Sequence, residues 1–282
     1  MARRLARRLA ALLAAVLLTA GCSTPSSAAP QGFTTGSTAH VLSVRGLDRS
    51  YRLYIPEAVQ NPAPLVVMLH GGFGSAQQAE RAYGWDELAH SAKFVVAYPD
   101  GVDRAWNVNG DCCGRPAREN IDDVGSINAV GNDISGHAGI DPTRVYATGI
   151  SNGGMMAYTL ACDAGTFAAI GPDSATQLDD CATPHPTSVM HIHGTADRLI
   201  RYDGGPGMGV AQIDGPAVQD LNAFWRNVDQ CGAPAITTNG PVTTSTADCP
   251  DGRNVVLMTV DGGGHEWPSF ATQALWQFFA AH

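Results

Sequence analysis

Lysine is nearly missing from this chain: Lys93 is the only one in 282 residues, and all basic residues together number 17 against 26 acidic. The first 21 residues hold four of the arginines and no acid, so the rest carries 13 basic against 26 acidic side chains. That balance excludes nucleic acid and anionic membrane surfaces as partners, since both are held by basic patches. No apolar run is long enough to cross a bilayer. The longest, residues 9–20, falls short of the roughly 20 residues a helix needs. No C-x-x-C pair is present, which weakens a cysteine metal centre. Neither G-K-[ST] nor G-x-G-x-x-G spacing occurs, which argues against nucleotide binding. No internal repeat or second domain is visible.

What is present begins with an export leader. Arg3, Arg4, Arg7 and Arg8 precede the apolar run, and Leu18-Thr19-Ala20-Gly21-Cys22 resembles a bacterial lipobox, in which Cys22 is lipidated and becomes the first residue. An ordinary secretory signal cut near Ala28-Ala29 is the alternative. Residues 1–21 therefore read as a lipoprotein signal peptide. Residues 22–38, rich in Ser, Thr, Pro, Ala and Gly, read as a flexible tether, and residues 39–282 as one catalytic domain. The expected location is extracellular or at the cell surface, with membrane contact only through the lipid on Cys22. Six further cysteines in an exported chain favour disulfides. Local loop closure suggests Cys162–Cys181 and Cys231–Cys249. That leaves adjacent Cys112 and Cys113, which could join only across a strained peptide.

Apolar runs at residues 64–70, 94–98, 145–148, 167–170, 188–193 and 255–260 read as strands, with an opening hairpin at residues 41–44 and 51–55. Helical patterning falls at residues 79–92, 122–138, 155–161, 217–228 and 269–281. Strands alternating with helices predict an α/β fold, a mostly parallel sheet with helices on both faces.

The chemistry gathers at Gly149-Ile150-Ser151-Asn152-Gly153, a G-x-S-x-G between a predicted strand and a predicted helix. That is the nucleophile-elbow arrangement, with Ser151 pushed out above the sheet edge. A serine needs a histidine base, itself oriented by a carboxylate, and in parallel sheets these sit just past strand ends. Asp197 follows the strand ending at His193, and His265 follows the strand ending at Val260. Asp173 and Asp180 precede the strand end that usually offers the acid, and Asp261 and Glu266 read as solvated loop charges. The order Ser151, Asp197, His265 is that of α/β-hydrolases. Backbone N–H groups of Asn152 and Gly72, with Phe73 as alternative to Gly72, would form an oxyanion hole. Trp106 and Trp267 offer aromatic surface for substrate, although a core place is equally common for tryptophan. His191 and His193 share one strand face, which reads as structural support; a third ligand for a metal is not evident.

Leu69-His-Gly-Gly72, the Trp106 to Gly114 segment with its Cys-Cys-Gly, Asp122-Asp123-Val124, Asp141 through Gly154, His193-Gly-Thr-Ala-Asp197 and Gly264-His-Glu-Trp-Pro268 together resemble the secreted esterases that include poly(3-hydroxybutyrate) depolymerases, feruloyl esterases and acetyl xylan esterases. The likeness covers residues 38–282. It implies an α/β-hydrolase fold, a Ser151–Asp197–His265 triad, no cofactor and no metal. The implied partner is an ester substrate, small or polymeric, acted on by a monomer. An acyltransferase on the same triad, or a surface binding lipoprotein with a relict site, are the competing readings.

Overall fold

The computed structural model describes residues 32–282; the leader at residues 1–21 and the lipidation candidate Cys22 lie outside the described residues. Its centre is the strand Ala63–Leu69 (β3), buried at every position. Leu65, Val67 and Leu69 point into one core, while Val66 and Met68 point into another on the opposite face. A wholly apolar run is what a strand covered on both faces requires. Around it stand Gly36–Val44 (β1), Leu47–Ile55 (β2), Val95–Pro99 (β4), Ile140–Ile150 (β5), Ala169–Asp173 (β6) and Ser188–Gly194 (β7). Two-residue strands Gly205–Pro206 (β8) and Asp214–Gly215 (β9) pair with each other. Ala235–Asn239 (β10), Val242–Asp248 (β11) and Asn254–Val260 (β12) complete the large sheet.

The ten strands run in the order β1-β2-β4-β3-β5-β6-β7-β12-β11-β10. The six from β4 to β12 are parallel, and antiparallel hairpins finish both edges. The parallel core expected from the sequence is therefore present, framed by antiparallel strands. Asp123–Ala138 (α4), Asn152–Asp163 (α5) and Val218–Val228 (α6) cover one face; Ala76–Ala82 (α1), Trp85–Ala92 (α2) and Ala271–Phe279 (α7) cover the other. A short helix, Gly114–Arg118 (α3), lies in the loop after β4.

Three departures from the sequence reading have local causes. The helix expected over residues 79–92 is two helices, because Gly84 adopts φ +70° between them, a conformation helices use to stop. The hairpin β10–β11 was not anticipated. β10 is exposed throughout and β11 is mostly half-buried, so no apolar periodicity marks the hairpin, whose two-residue turn is Gly240-Pro241. β1 begins at Gly36, inside the stretch read as tether, and Phe33 packs on His40 with ring centroids 4.7 Å apart. All three disulfides are formed: Cys112–Cys113, Cys162–Cys181 and Cys231–Cys249.

One buried ion pair ties the sheet edge to α4 and to the loop below the site. Arg49 on β2 donates to Asp123 Oδ1 and to Ser126 Oγ, both at 2.6 Å, and Asp123 Oδ2 accepts the Asn107 N–H at 2.8 Å. Both partners are almost completely buried, 3% and 1% exposed. Burial raises the Asp123 carboxyl above its ordinary range, against the pull of Arg49. Arg49→Met would leave that carboxylate buried and alone, and we expect a loss of about 3–5 kcal/mol. A urea midpoint shift measures it, and Arg49→Met with Asp123→Asn should recover part of the loss.

Candidate active site

Ser151 sits between the end of β5 and the start of α5 with φ 56° and ψ −126°, a strained conformation for a residue with a side chain. The surrounding backbone enforces it. The Ser151 N–H donates to the Asp173 carbonyl at 2.9 Å, and its carbonyl accepts from Met155 N–H at 2.8 Å. A methyl group on Gly149 would stand 2.6 Å from the Leu69 carbonyl, and one on Gly153 would collide with the Leu69 and His70 carbonyls. Only glycine lets β3 and the elbow approach this closely.

Asp197 and His265 meet because β7 and β12 are adjacent and parallel, pairing Val260 with Gly194 so that both strands end side by side. The His265 Nδ1–H donates to Asp197 Oδ2 at 2.8 Å across 68 residues of sequence. A carboxylate only accepts, so a proton lies on Nδ1, and in the neutral ring Nε2 keeps its lone pair. The other carboxylate oxygen, Oδ1, accepts the N–H groups of Leu199 at 2.8 Å and Ile200 at 3.0 Å. Burial alone would raise the Asp197 carboxyl; the hydrogen bond and charge of His265, with the Ile200 N–H, outweigh it and hold the group below its ordinary range. Asp197 stays ionised.

Ser151 and His265 line one cavity of about 690 Å³, together with Gly72 and Asn152. No hydrogen bond joins the Ser151 hydroxyl to the imidazole among the described residues, a loose approach common in such pairs without substrate. Asn152 is the first residue of α5, so its N–H has no earlier helical turn to bond. Phe73, the alternative oxyanion donor, has its N–H committed to the Arg104 carbonyl at 2.8 Å. Gly72 lines the cavity one residue earlier in the same loop.

Trp106 is not a cleft surface. It is fully buried and does not line the cavity, because it is pinned from three directions. Its N–H donates to Asn152 Oδ1 at 2.7 Å, its carbonyl accepts from Asn152 Nδ2 at 3.1 Å, and its indole N–H donates to the His70 carbonyl at 2.9 Å. His70 Nε2 in turn accepts the Gly101 N–H at 2.9 Å. This network locks the loop after β3 to the elbow. Trp267 also misses the cavity: its ring packs on Tyr83 at 4.9 Å and its N–H donates to Thr272 Oγ1 at 2.9 Å. The Asn152 side chain and Arg104, whose guanidinium donates to the Phe73 and Gly74 carbonyls, carry supporting roles that no sequence pattern announced.

Among the described residues His265 hydrogen-bonds Asp197 and none of the competing acids. Asp173 is buried at the end of β6, where desolvation pushes its carboxyl well above the ordinary range, and Asp261 contacts Thr195. Among the described residues no group of three or more His, Cys, Asp or Glu side chains could hold a metal.

The profile of the family described as "Esterase PHB depolymerase" matches residues 49–211. The chain belongs to that family. It is an esterase. It is 33% identical over 284 residues to a Nocardia uniformis subsp. tsuyamanensis protein named "Putative esterase NocK", covering 87% of this chain and 81% of that one. It is 28% identical over 277 residues to feruloyl esterase C of Emericella nidulans, covering 93% and 92%. Among solved structures, the acetyl xylan esterase of Aspergillus awamori superposes with a TM-score of 0.66 at 15% identity, over 87% of this chain and all of that one. That likeness concerns the α/β-hydrolase fold.

Gly153→Ala tests the elbow directly. With no room beside two carbonyls, the variant of this esterase should lose about 4 kcal/mol or more, or fail to fold, as thermal unfolding would report.

Proposed function

We propose that this esterase hydrolyses carboxylic esters by a serine mechanism in which Ser151 is the nucleophile, His265 the base and Asp197 the residue that orients it. The observation that carries this reading is the 2.8 Å Asp197–His265 bond, which turns the other ring nitrogen, Nε2, away from the carboxylate in a histidine that lines the same cavity as Ser151. Ser151 Oγ attacks the ester carbonyl carbon while its proton passes to His265 Nε2. The carbonyl oxygen becomes an oxyanion held by the N–H groups of Asn152 and Gly72, aided by the positive end of α5. Collapse of the tetrahedral intermediate expels the alcohol, which takes the proton from His265. Water, deprotonated by the same imidazole, then attacks the acyl carbon, and collapse of this second intermediate releases the acid as the proton passes from His265 back to Ser151 Oγ.

The cavity supports a substrate with an apolar arm. The loops after β4 and β7 rise on opposite sides of Ser151, since those strands lie two places away from β5 in either direction. The second loop brings Leu199, Ile200, Met208, Val210 and Ile213 to the cavity wall, and Phe73 stands exposed beside the oxyanion loop. Exposed apolar side chains grouped at one site mark a binding surface. Feruloyl or acetyl esters of polysaccharides and hydroxyalkanoate esters fit that wall. Ser151→Ala should lower kcat on 4-nitrophenyl butyrate by about four to six orders of magnitude with the fold intact, and Asp197→Asn by about 10³–10⁴. A panel of methyl ferulate, acetylated xylan and 3-hydroxybutyrate oligomers then orders the substrates. Wild-type turnover in Ser151→Ala would overturn the mechanism.

The same reading has the domain exported and tethered as a monomer by lipid on Cys22, supported by the basic leader and the lipobox-like sequence. Cys22→Ser should move the activity from the membrane fraction into the medium. Esterase that stays with the cell pellet would contradict the anchor.

A further inference from the structure

β7 places His191 and His193 at alternate positions on one face, and both are completely buried. A strand needing only bulk there would carry apolar residues, since a buried polar side chain is costly unless bonded. These rings are bonded in series. The Tyr158 hydroxyl on α5 lies 2.9 Å from His191 Nδ1, His191 Nε2 lies 3.0 Å from His193 Nδ1, and His193 Nε2 lies 2.9 Å from the Ile200 carbonyl.

The polarity of the series is forced from its end. A carbonyl only accepts, so His193 carries its proton on Nε2 and accepts on Nδ1. His191 must then donate from Nε2 and accept on Nδ1, where the Tyr158 O–H donates. Burial lowers the pKa of both rings, His191 strongly, so the series is neutral. Trp225 of α6 stacks on Tyr158 at 5.9 Å, fixing the phenol.

The series ends on one atom that matters to the site. Ile200 has its carbonyl held by His193, while its N–H donates to Asp197 Oδ1 at 3.0 Å. His193 Nε2 is itself 3.5 Å from Asp197 Oδ2, the oxygen that accepts the hydrogen bond from His265 Nδ1–H. The turn from Asp197 to Ile200 is thus clamped from below by an imidazole.

We propose that Tyr158, His191 and His193 are positioning residues: a buried hydrogen-bond chain, anchored in α5, that fixes the Asp197 turn and so aims the carboxylate at His265. This rests on the triad reading above. The groups facing His193 are His191, Asp197, His265 and the Tyr202 ring, 6.0 Å away; His191 faces Tyr158 and His193. A neutral His193 sets no second cation beside Asp197, which leaves its charge directed at His265.

His193→Leu removes the donor to Ile200, and His193→Gln retains a terminal N–H that reaches the same carbonyl. For His193→Leu we expect kcat on 4-nitrophenyl butyrate to fall about 10- to 100-fold, the scale of a small misplacement in a site, with KM moving far less. The acid limb of kcat/KM should shift to lower pH, because a misaimed carboxylate stabilises the His265 imidazolium less. His193→Gln should recover most of kcat and the limb. If His193→Leu fails to fold, Tyr158→Phe decides: it deletes only the far donor, and should lower kcat about two- to fivefold with the same direction of pH shift. Wild-type kcat and an unmoved acid limb in folded His193→Leu, or in Tyr158→Phe, would overturn the proposal. Full activity in Asp197→Asn would instead bring down the triad reading, and the positioning role with it.

Discussion

Everything in this site depends on how closely two backbones approach at the elbow. The β3 carbonyls of Leu69 and His70 press against Gly149 and Gly153, and that contact leaves Ser151 at positive φ with its side chain thrown above the sheet. The strain is local and is held by hydrogen bonds on either side, from the Ser151 N–H to Asp173 and from Met155 to the Ser151 carbonyl. A neighbouring strand with longer side chains facing the turn would not change the argument, because the colliding atoms are main-chain. Glycine at 149 and 153 is a requirement of the backbone.

The second requirement is that three loops from distant parts of the chain arrive at one point. Parallel pairing does most of this, by ending β7 and β12 together and setting Asp197 and His265 within a hydrogen bond. The loop after β3 is brought to the elbow by side chains instead. Asn152 grips both the N–H and carbonyl of Trp106, whose indole holds the His70 carbonyl. Asn152, directly after Ser151, thus secures through Trp106 the loop that carries Gly72.

That division explains what could be read in advance. The apolar run of β3, the G-x-S-x-G turn and the strand ends before Asp197 and His265 are encoded in a few adjacent residues, and local patterning exposes them. Asp197 stands out over Asp173 because of where its strand ends, and it is Asp197 that bonds His265. Trp106 was misplaced for the opposite reason. In sequence it sits among Asn, Gly and Asp, the company of an exposed loop, while its burial is decided by Asn152, 46 residues away. Arg104 holding the Phe73 and Gly74 carbonyls is equally invisible, since no spacing links positions 31 and 30 residues apart. The β10–β11 hairpin shows a third kind of failure: an edge with little to bury has no periodicity to announce it.

The distribution of polar and apolar groups is inverted at this one end of the sheet. Below the site, where cores are apolar, lie His70, Tyr158, Asp173, His191 and His193, all buried. Above it, where surfaces are polar, stand Phe73, Met208 and Val210, with exposures of 73%, 63% and 93%. Each half works against folding: buried polar groups lose hydration, and exposed apolar groups forgo burial. Neither is needed to close the sheet, which β3 and its neighbours already do with ordinary aliphatic packing. The polar set beneath acquires a purpose only if atoms above must be held in fixed directions, and the apolar rim only if something apolar comes to rest on it. The chain departs from its own folding pattern at the end of the sheet where the elbow stands, with bonded polar groups beneath and an apolar rim above.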